Sequence, residues 1–168
     1  MKKPDIIIVD DHQIFRQGIK SIITLENIAT VIGEVSNGAD FIELLSRLKP
    51  DLVLLDIDMP LMNGLEATEK ALAIMPELKI IAFTLFGDEE YFFKMIELGA
   101  MGYVLKSSDI SELEKAIHVI MNGEKYFSND QFIRNSHQLV KTTLKKSTDN
   151  HVVSEKTQEA DDFFPHWF

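Results

Sequence analysis

Asp51-Leu52-Val53-Leu54-Leu55-Asp56-Ile57-Asp58-Met59-Pro60, with Asn63-Gly64 shortly after it, decides how this chain is read. The run is apolar, rich in Val and Leu and preceded by Lys49-Pro50, which is the pattern of a strand buried on both faces. It stops at a carboxylate, Asp56. In an open parallel sheet the carboxyl ends of the strands face the ligand crevice, so Asp56 is delivered to a site rather than to the surface at large. Pro60 and Asn63-Gly64 then turn the chain out of that site and into a helix.

The same pattern recurs on both sides of it. Ile6-Ile7-Ile8-Val9 is a second buried strand, and it too ends in acid, Asp10-Asp11. Residues 29–35 read as a strand closed by Ser36-Asn37-Gly38. Residues 79–84 form a fourth strand, ending in the hydroxyl of Thr84, and Gly102-Tyr103-Val104-Leu105 a fifth, ending in Lys106. Apolar residues with helical spacing fill the intervals 12–25, 39–48, 65–75, 88–98 and 109–121. Proline or glycine follows most of them as a stop, and Ser107-Ser108-Asp109 is expected to cap the last. Strands alternating with helices predict an α/β fold, a doubly wound five-stranded parallel sheet with five helices on its two faces.

Bulk composition sets the bounds. The chain has 168 residues, enough for one well-buried domain and a short appendage. A net charge of -10 argues against a nucleic-acid or anionic-membrane surface. With no cysteine, disulfides, zinc-thiolate sites and thiol catalysis are excluded. The apolar run behind Lys2-Lys3 is too short for a signal peptide, and no stretch reaches the length of a membrane span. A cytoplasmic location is expected.

Four strand ends therefore bring polar groups to one edge of an apolar sheet. Three carboxylates close together cannot all stay ionised without a cation. A hard divalent ion with oxygen ligands answers that need, and Mg²⁺ suits a site of few carboxylates plus a phosphate. A hydroxyl and an ammonium nearby supply donors for phosphoryl oxygens, which describes phosphoryl transfer, with a carboxylate as one candidate acceptor.

The ordered set Asp10-Asp11, Asp56 with Met59-Pro60 and Asn63-Gly64, Thr84, and Gly102-Tyr103-Val104-Leu105-Lys106 resembles the receiver domain of two-component response regulators. The likeness covers residues 5 to about 128. The wording between these points, Asp10-Asp11-His12, Phe15-Arg16, Gly18, Ser36-Asn37-Gly38 and Gly99-Ala100-Met101-Gly102-Tyr103, is closest to the NarL/FixJ branch. The resemblance implies a flavodoxin-like fold with strand order 2-1-3-4-5 and a receiver domain over 1–128. It implies that Asp56 is the phosphoacceptor, and that Asp11, Asp56 and the backbone carbonyl of Asp58 hold Mg²⁺, with Asp10 acting through water. Lys106 and Thr84 would grip the phosphoryl oxygens, and Tyr103 would be the aromatic that moves with Thr84. The implied partners are a sensor histidine kinase or phosphotransfer protein, with a homodimer left open.

Two departures and two alternatives accompany that reading. Leu85, followed by Phe86, stands where the family usually has a small residue, which implies hindered access and an altered lifetime of the phosphorylated state. His12 is read as a solvent-facing residue at a helix start rather than a ligand, because Mg²⁺ prefers oxygen. Asp56-Ile57-Asp58 also resembles the nucleophile motif of haloacid dehalogenase-type phosphatases, in which Asp58 would be a general acid. A pseudo-receiver, using the fold as an interaction module only, is the second alternative.

The pattern weakens after Ser128. Residues 131–144 allow a short amphipathic helix, 145–162 are polar without periodicity, and 163–168 are abruptly aromatic. NarL/FixJ regulators carry a four-helix DNA-binding domain after the receiver. The remainder here is shorter than that and carries five Lys/Arg against five acids, so no DNA binding by this chain alone is expected.

Overall fold

In the computed structural model, which describes residues 2–85 and 87–128, strands and helices alternate from the first residues onward. The elements are β1 (Asp5–Val9), α1 (Gln13–Leu25), β2 (Thr30–Val35), α2 (Gly38–Leu44), β3 (Leu52–Leu55) and α3 (Gly64–Ile74). They continue as β4 (Lys79–Thr84), α4 (Glu89–Leu98), β5 (Gly102–Leu105), α5 (Ile110–Met121) and β6 (Tyr126–Phe127). The sheet is parallel throughout, in the order β2-β1-β3-β4-β5-β6.

The period-2 geometry of the strands sorts their side chains into two layers. Ile7, Val9, Val53, Leu55, Ile80, Ala82, Tyr103 and Leu105 are buried with Phe41, Ala67, Ala71, Phe92 and Met95, on the side of α2, α3 and α4. Ile6, Ile8, Leu52, Leu54, Ile81, Phe83 and Val104 are buried with Ile19, Ile23, Leu113, Ala116, Ile117 and Ile120, on the side of α1 and α5. Strands covered on both faces have no polar alternation, which is why β1, β3 and β4 read as continuous apolar runs.

Three expectations are corrected. The sheet has six strands, not five. Tyr126 and Phe127 add a short strand beside β5, with the Tyr126 amide donating to Met101 O at 3.0 Å and the Ser128 amide to Tyr103 O at 2.9 Å. The order 2-1-3-4-5 holds within it. The second helix ends at Leu44 instead of running to 48. There the Ser46 hydroxyl and the Ser46 amide both donate to Glu43 O, at 2.7 and 3.1 Å, and this tightens the last turn. Asp109 occupies the N-cap position of α5 but makes no side-chain capping bond. The expected helix over 131–144, the polar stretch 145–162, the aromatic end 163–168 and Phe86 lie outside the described residues.

Candidate functional site

Each acid arrives where a buried strand stops. The Asp10 amide donates to Val35 O at 3.1 Å and the Asp56 amide to Val9 O at 2.9 Å, so the ladder hydrogen bonds run up to the acids themselves. Lys106 is fastened likewise, its amide donating to Thr84 O at 2.7 Å. Asp10, Asp56 and Lys106 continue the alternation of the α1/α5 layer, whereas Thr84 and Tyr103 belong to the layer under α4. The site thus straddles the end of the sheet, charges on one side and hydroxyl and aromatic on the other.

The loop after β3 is locked by Gly64. Its amide donates to Ile57 O at 2.8 Å, and a Cβ on it would meet Asp56 O at 2.4 Å and Ile57 Cα at 2.7 Å. Only glycine allows the start of α3 to lie this close to the chain that carries Asp56. Asn63 then caps α3 by accepting from the Glu66 amide at 3.0 Å.

The charges are nearly withdrawn from water. The Lys106 ammonium, on a side chain 1% exposed, stands 2.6 Å from Asp10 Oδ2 and 3.2 Å from Asp56 Oδ2. It also lies 4.6 Å from the centre of the Phe15 ring. The other oxygen of Asp56 accepts the Ile57 amide at 2.8 Å. Burial pushes the Asp56 carboxyl up to about 6 despite Lys106, and the neighbouring Asp10 charge adds to the rise. Burial also raises Tyr103, with a smaller contribution from Asp88. Its ring is fully buried and meets Phe92 edge to face at 5.2 Å.

Asp11 carries the remaining signal. Its Oδ1 is buried and makes no hydrogen bond among the described residues, its neighbour being the His12 ring nitrogen at 3.3 Å. Oxygen atoms of Asp10, Asp11 and Asp56 and a ring nitrogen of His12 all lie within 4.8 Å of one another. Among the described residues one fixed ammonium, Lys106, faces three carboxylates, and an oxygen among them without a hydrogen bond fits a hard divalent cation. These groups could hold a metal ion.

His12 is exposed at the start of α1, as read from the sequence, and its ring also leans over the acids. It is at the N-cap position of α1 and its side chain is 56% exposed, yet Nδ1 lies 3.2 Å from Asp10, 3.3 Å from Asp11 and 3.8 Å from Asp56. No spacing rule separates a helix-start histidine that faces out from one that leans over the preceding acids. Arg16, one turn further on, donates to Asp10 O at 2.5 Å and holds the loop to α1. Asp58 is exposed and its carboxylate is outside the cluster, so nothing in the geometry supports it as a general acid. Leu85 is 52% exposed beside buried Thr84.

Comparison with known proteins agrees with this fold. The family model described as response regulator receiver domain matches residues 6–118. The chain is 41% identical over 123 residues to the nitrate/nitrite response regulator protein NarL of Escherichia coli, covering 73% of this chain and 57% of that protein. It is 37% identical over 124 residues to the transcriptional regulatory protein DegU of Brevibacillus brevis, covering 74% of this chain and 52% of that protein. Among solved structures, a LuxR-family two-component response regulator from Aurantimonas superposes with a TM-score of 0.77 at 32% identity, covering 83% of this chain and 99% of that one. The chain spans about half the length of these curated relatives.

Proposed function

Because the chain belongs to the response regulator receiver domain family, we propose that Asp56 accepts a phosphoryl group from a phosphohistidine of a sensor kinase or phosphotransfer protein. The observation that carries the proposal is the pairing of buried Asp56 with Lys106 at 3.2 Å beside the Asp11 oxygen that makes no hydrogen bond among the described residues. An Asp56 oxygen attacks phosphorus, the P–N bond breaks, and its electron pair returns to the imidazole nitrogen. Asp10, Asp11 and Asp56 would hold Mg²⁺, with the Asp58 carbonyl as a further ligand. When bound, the ion neutralises charge on the phosphoryl oxygens.

The chain's own residues do the rest. Lys106 is already placed to follow the phosphoryl oxygens, and the Ile57 amide holds one carboxylate oxygen so that the nucleophile is oriented. Thr84 donates its hydroxyl to a phosphoryl oxygen by moving toward it, and Tyr103, packed in the same layer, follows. The acceptor state then biases a pre-existing equilibrium and so switches protein–protein contacts, in a chain that receives a phosphoryl group rather than turning over a separate substrate. A pseudo-receiver is disfavoured by the intact acceptor and lysine. A cytoplasmic setting accords with kinase-coupled signalling, and no described helix is long and apolar enough to cross a membrane.

Incubation with Mg²⁺ and acetyl phosphate, followed by intact-mass measurement, tests this. One added phosphoryl group is expected, absent without Mg²⁺ and absent in Asp56→Asn. The same adduct on Asp56→Asn would refute the assignment.

A further inference from the structure

The short strand β6 is tied to the site by two independent routes, and both end at residues 127 and 128. The first is polar and runs along the α5 side. Lys106 is followed by Ser107 and Ser108, whose amide donates to Leu105 O at 3.0 Å. The Ser108 hydroxyl lies 3.3 Å from the Ser128 hydroxyl, which donates to Glu112 Oε1 at 2.8 Å. The second route is aromatic and runs under α4. Tyr103 meets Phe92 edge to face, and Phe92 meets Phe127 edge to face at 5.4 Å.

Glu112, in the first turn of α5, accepts from the Ser128 hydroxyl just past the end of the strand. Its charge also acts on the Tyr126 hydroxyl, which burial raises first and the neighbouring Glu112 raises further. Lys115 adds a cation over the Tyr126 ring at 5.9 Å. The Ser128 side chain is a buried polar group, 3% exposed, and its backbone amide donates to the carbonyl of Tyr103. So the last described residue is bonded to the backbone of the aromatic and to the loop that follows the lysine.

We propose that Glu112 is a positioning residue that clamps Ser128, and with it the end of β6, and that occupation of the acceptor site loosens this clamp at residues 126–128. The proposal deepens the acceptor reading and rests on it. The groups of both routes are already bonded in the form described here. A shift of the Lys106 loop or of Tyr103 therefore lengthens bonds that exist, and the change runs toward faster opening of β6. Side chains of β6 reach both layers, Tyr126 packing with the α1/α5 layer and Phe127 with the α4 layer, so movement on either side of the sheet is felt there.

The test is amide hydrogen exchange on the full chain, with and without beryllofluoride in the presence of Mg²⁺. With beryllofluoride, the Tyr126 and Ser128 amides should exchange about fivefold faster, the factor corresponding to one net hydrogen bond lost. In Glu112→Ala they should exchange fast in both conditions, and the difference should vanish while the loops after β1 and β3 still gain protection. Glu112→Gln, whose amide oxygen still accepts, should restore the difference; Ser128→Ala should reduce it by a milder change. Unaltered exchange at 126–128 alongside protection at Asp10 and Asp56 overturns the clamp and leaves the acceptor intact. No protection anywhere overturns the acceptor reading, and the clamp with it.

Discussion

Lys106 and Asp56 form an ion pair 3.2 Å long whose side chains are only 1% and 4% exposed. Asp10 shares the same ammonium at 2.6 Å, so one cation balances two buried acids. Pairs of this kind contribute little net stability, yet removing one partner leaves charge stranded in a dry place. Lys106→Ala should accordingly destabilise the metal-free domain by about 3–5 kcal/mol. Millimolar Mg²⁺ should recover part of that loss, because it binds only the folded form. Urea unfolding of both proteins, with and without Mg²⁺, gives the comparison; an equal loss in both conditions would count against a cation site at these acids.

The Asp56 carboxyl, raised to about 6 by burial, predicts a pH dependence of definite sign. An unfolded carboxyl titrates near 4. Between those values the folded form binds a proton that the unfolded form lacks, so stability rises as pH falls through about 6 toward about 4. The gain is absent above the folded value and complete below the unfolded one. Asp56→Asn should be more stable than the parent by roughly 2–3 kcal/mol at pH 7.5 without metal, and the gap should close toward pH 5. Thermal unfolding across that range checks it, and a gap that widens toward acid would show the sign to be wrong. Mg²⁺ affinity should weaken over the same window, since a proton competes for the same oxygen.

Gly64→Ala tests the close approach of α3 to the acceptor loop. The added methyl would lie 2.4 Å from Asp56 O, against backbone that has no flexible side chain to yield. A loss of about 1–3 kcal/mol is expected. The rate of phosphorylation by acetyl phosphate should fall with it, because the strain is relieved by moving the chain that bears Asp56. Unchanged melting temperature and unchanged rate together would mean that the loop repacks freely.

Binding to DNA is expected to be absent for this chain alone. Its net charge is -10, whereas a duplex-binding surface is basic and its affinity falls steeply with salt. Fluorescence anisotropy with labelled duplexes at physiological salt should show no sequence-dependent binding below micromolar concentrations. Submicromolar, sequence-dependent binding would overturn it.

Much of the site was legible because buried strands carry no polar residues until they end. Asp10 (with Asp11 after it), Asp56, Thr84 and Lys106 each stand immediately after an apolar run, and a parallel sheet gathers such ends on one edge. What escaped the sequence depended on contacts with no local period. A two-residue strand, Tyr126–Phe127, is too short to show alternation, and only its pairing with β5 makes it a strand. The approach of the His12 ring to three carboxylates is a rotamer, not a spacing. Ser46 ends α2 early by a hydroxyl bond that helical periodicity over-runs. Glu112 looked like an ordinary first-turn acid until the buried Ser128 hydroxyl was seen to donate to it.

The shortness of β6 bears on how the border of the sheet is closed. Without it β5 would end the sheet, offering the carbonyls of Met101 and Tyr103 to any extended segment that came alongside. With it those carbonyls accept from the amides of Tyr126 and Ser128. Two residues are enough to cover that border and too few to present a ladder of their own to a second chain. Among the described residues that border ends in a strip too narrow to be extended, a form that disfavours edge-to-edge pairing on that side.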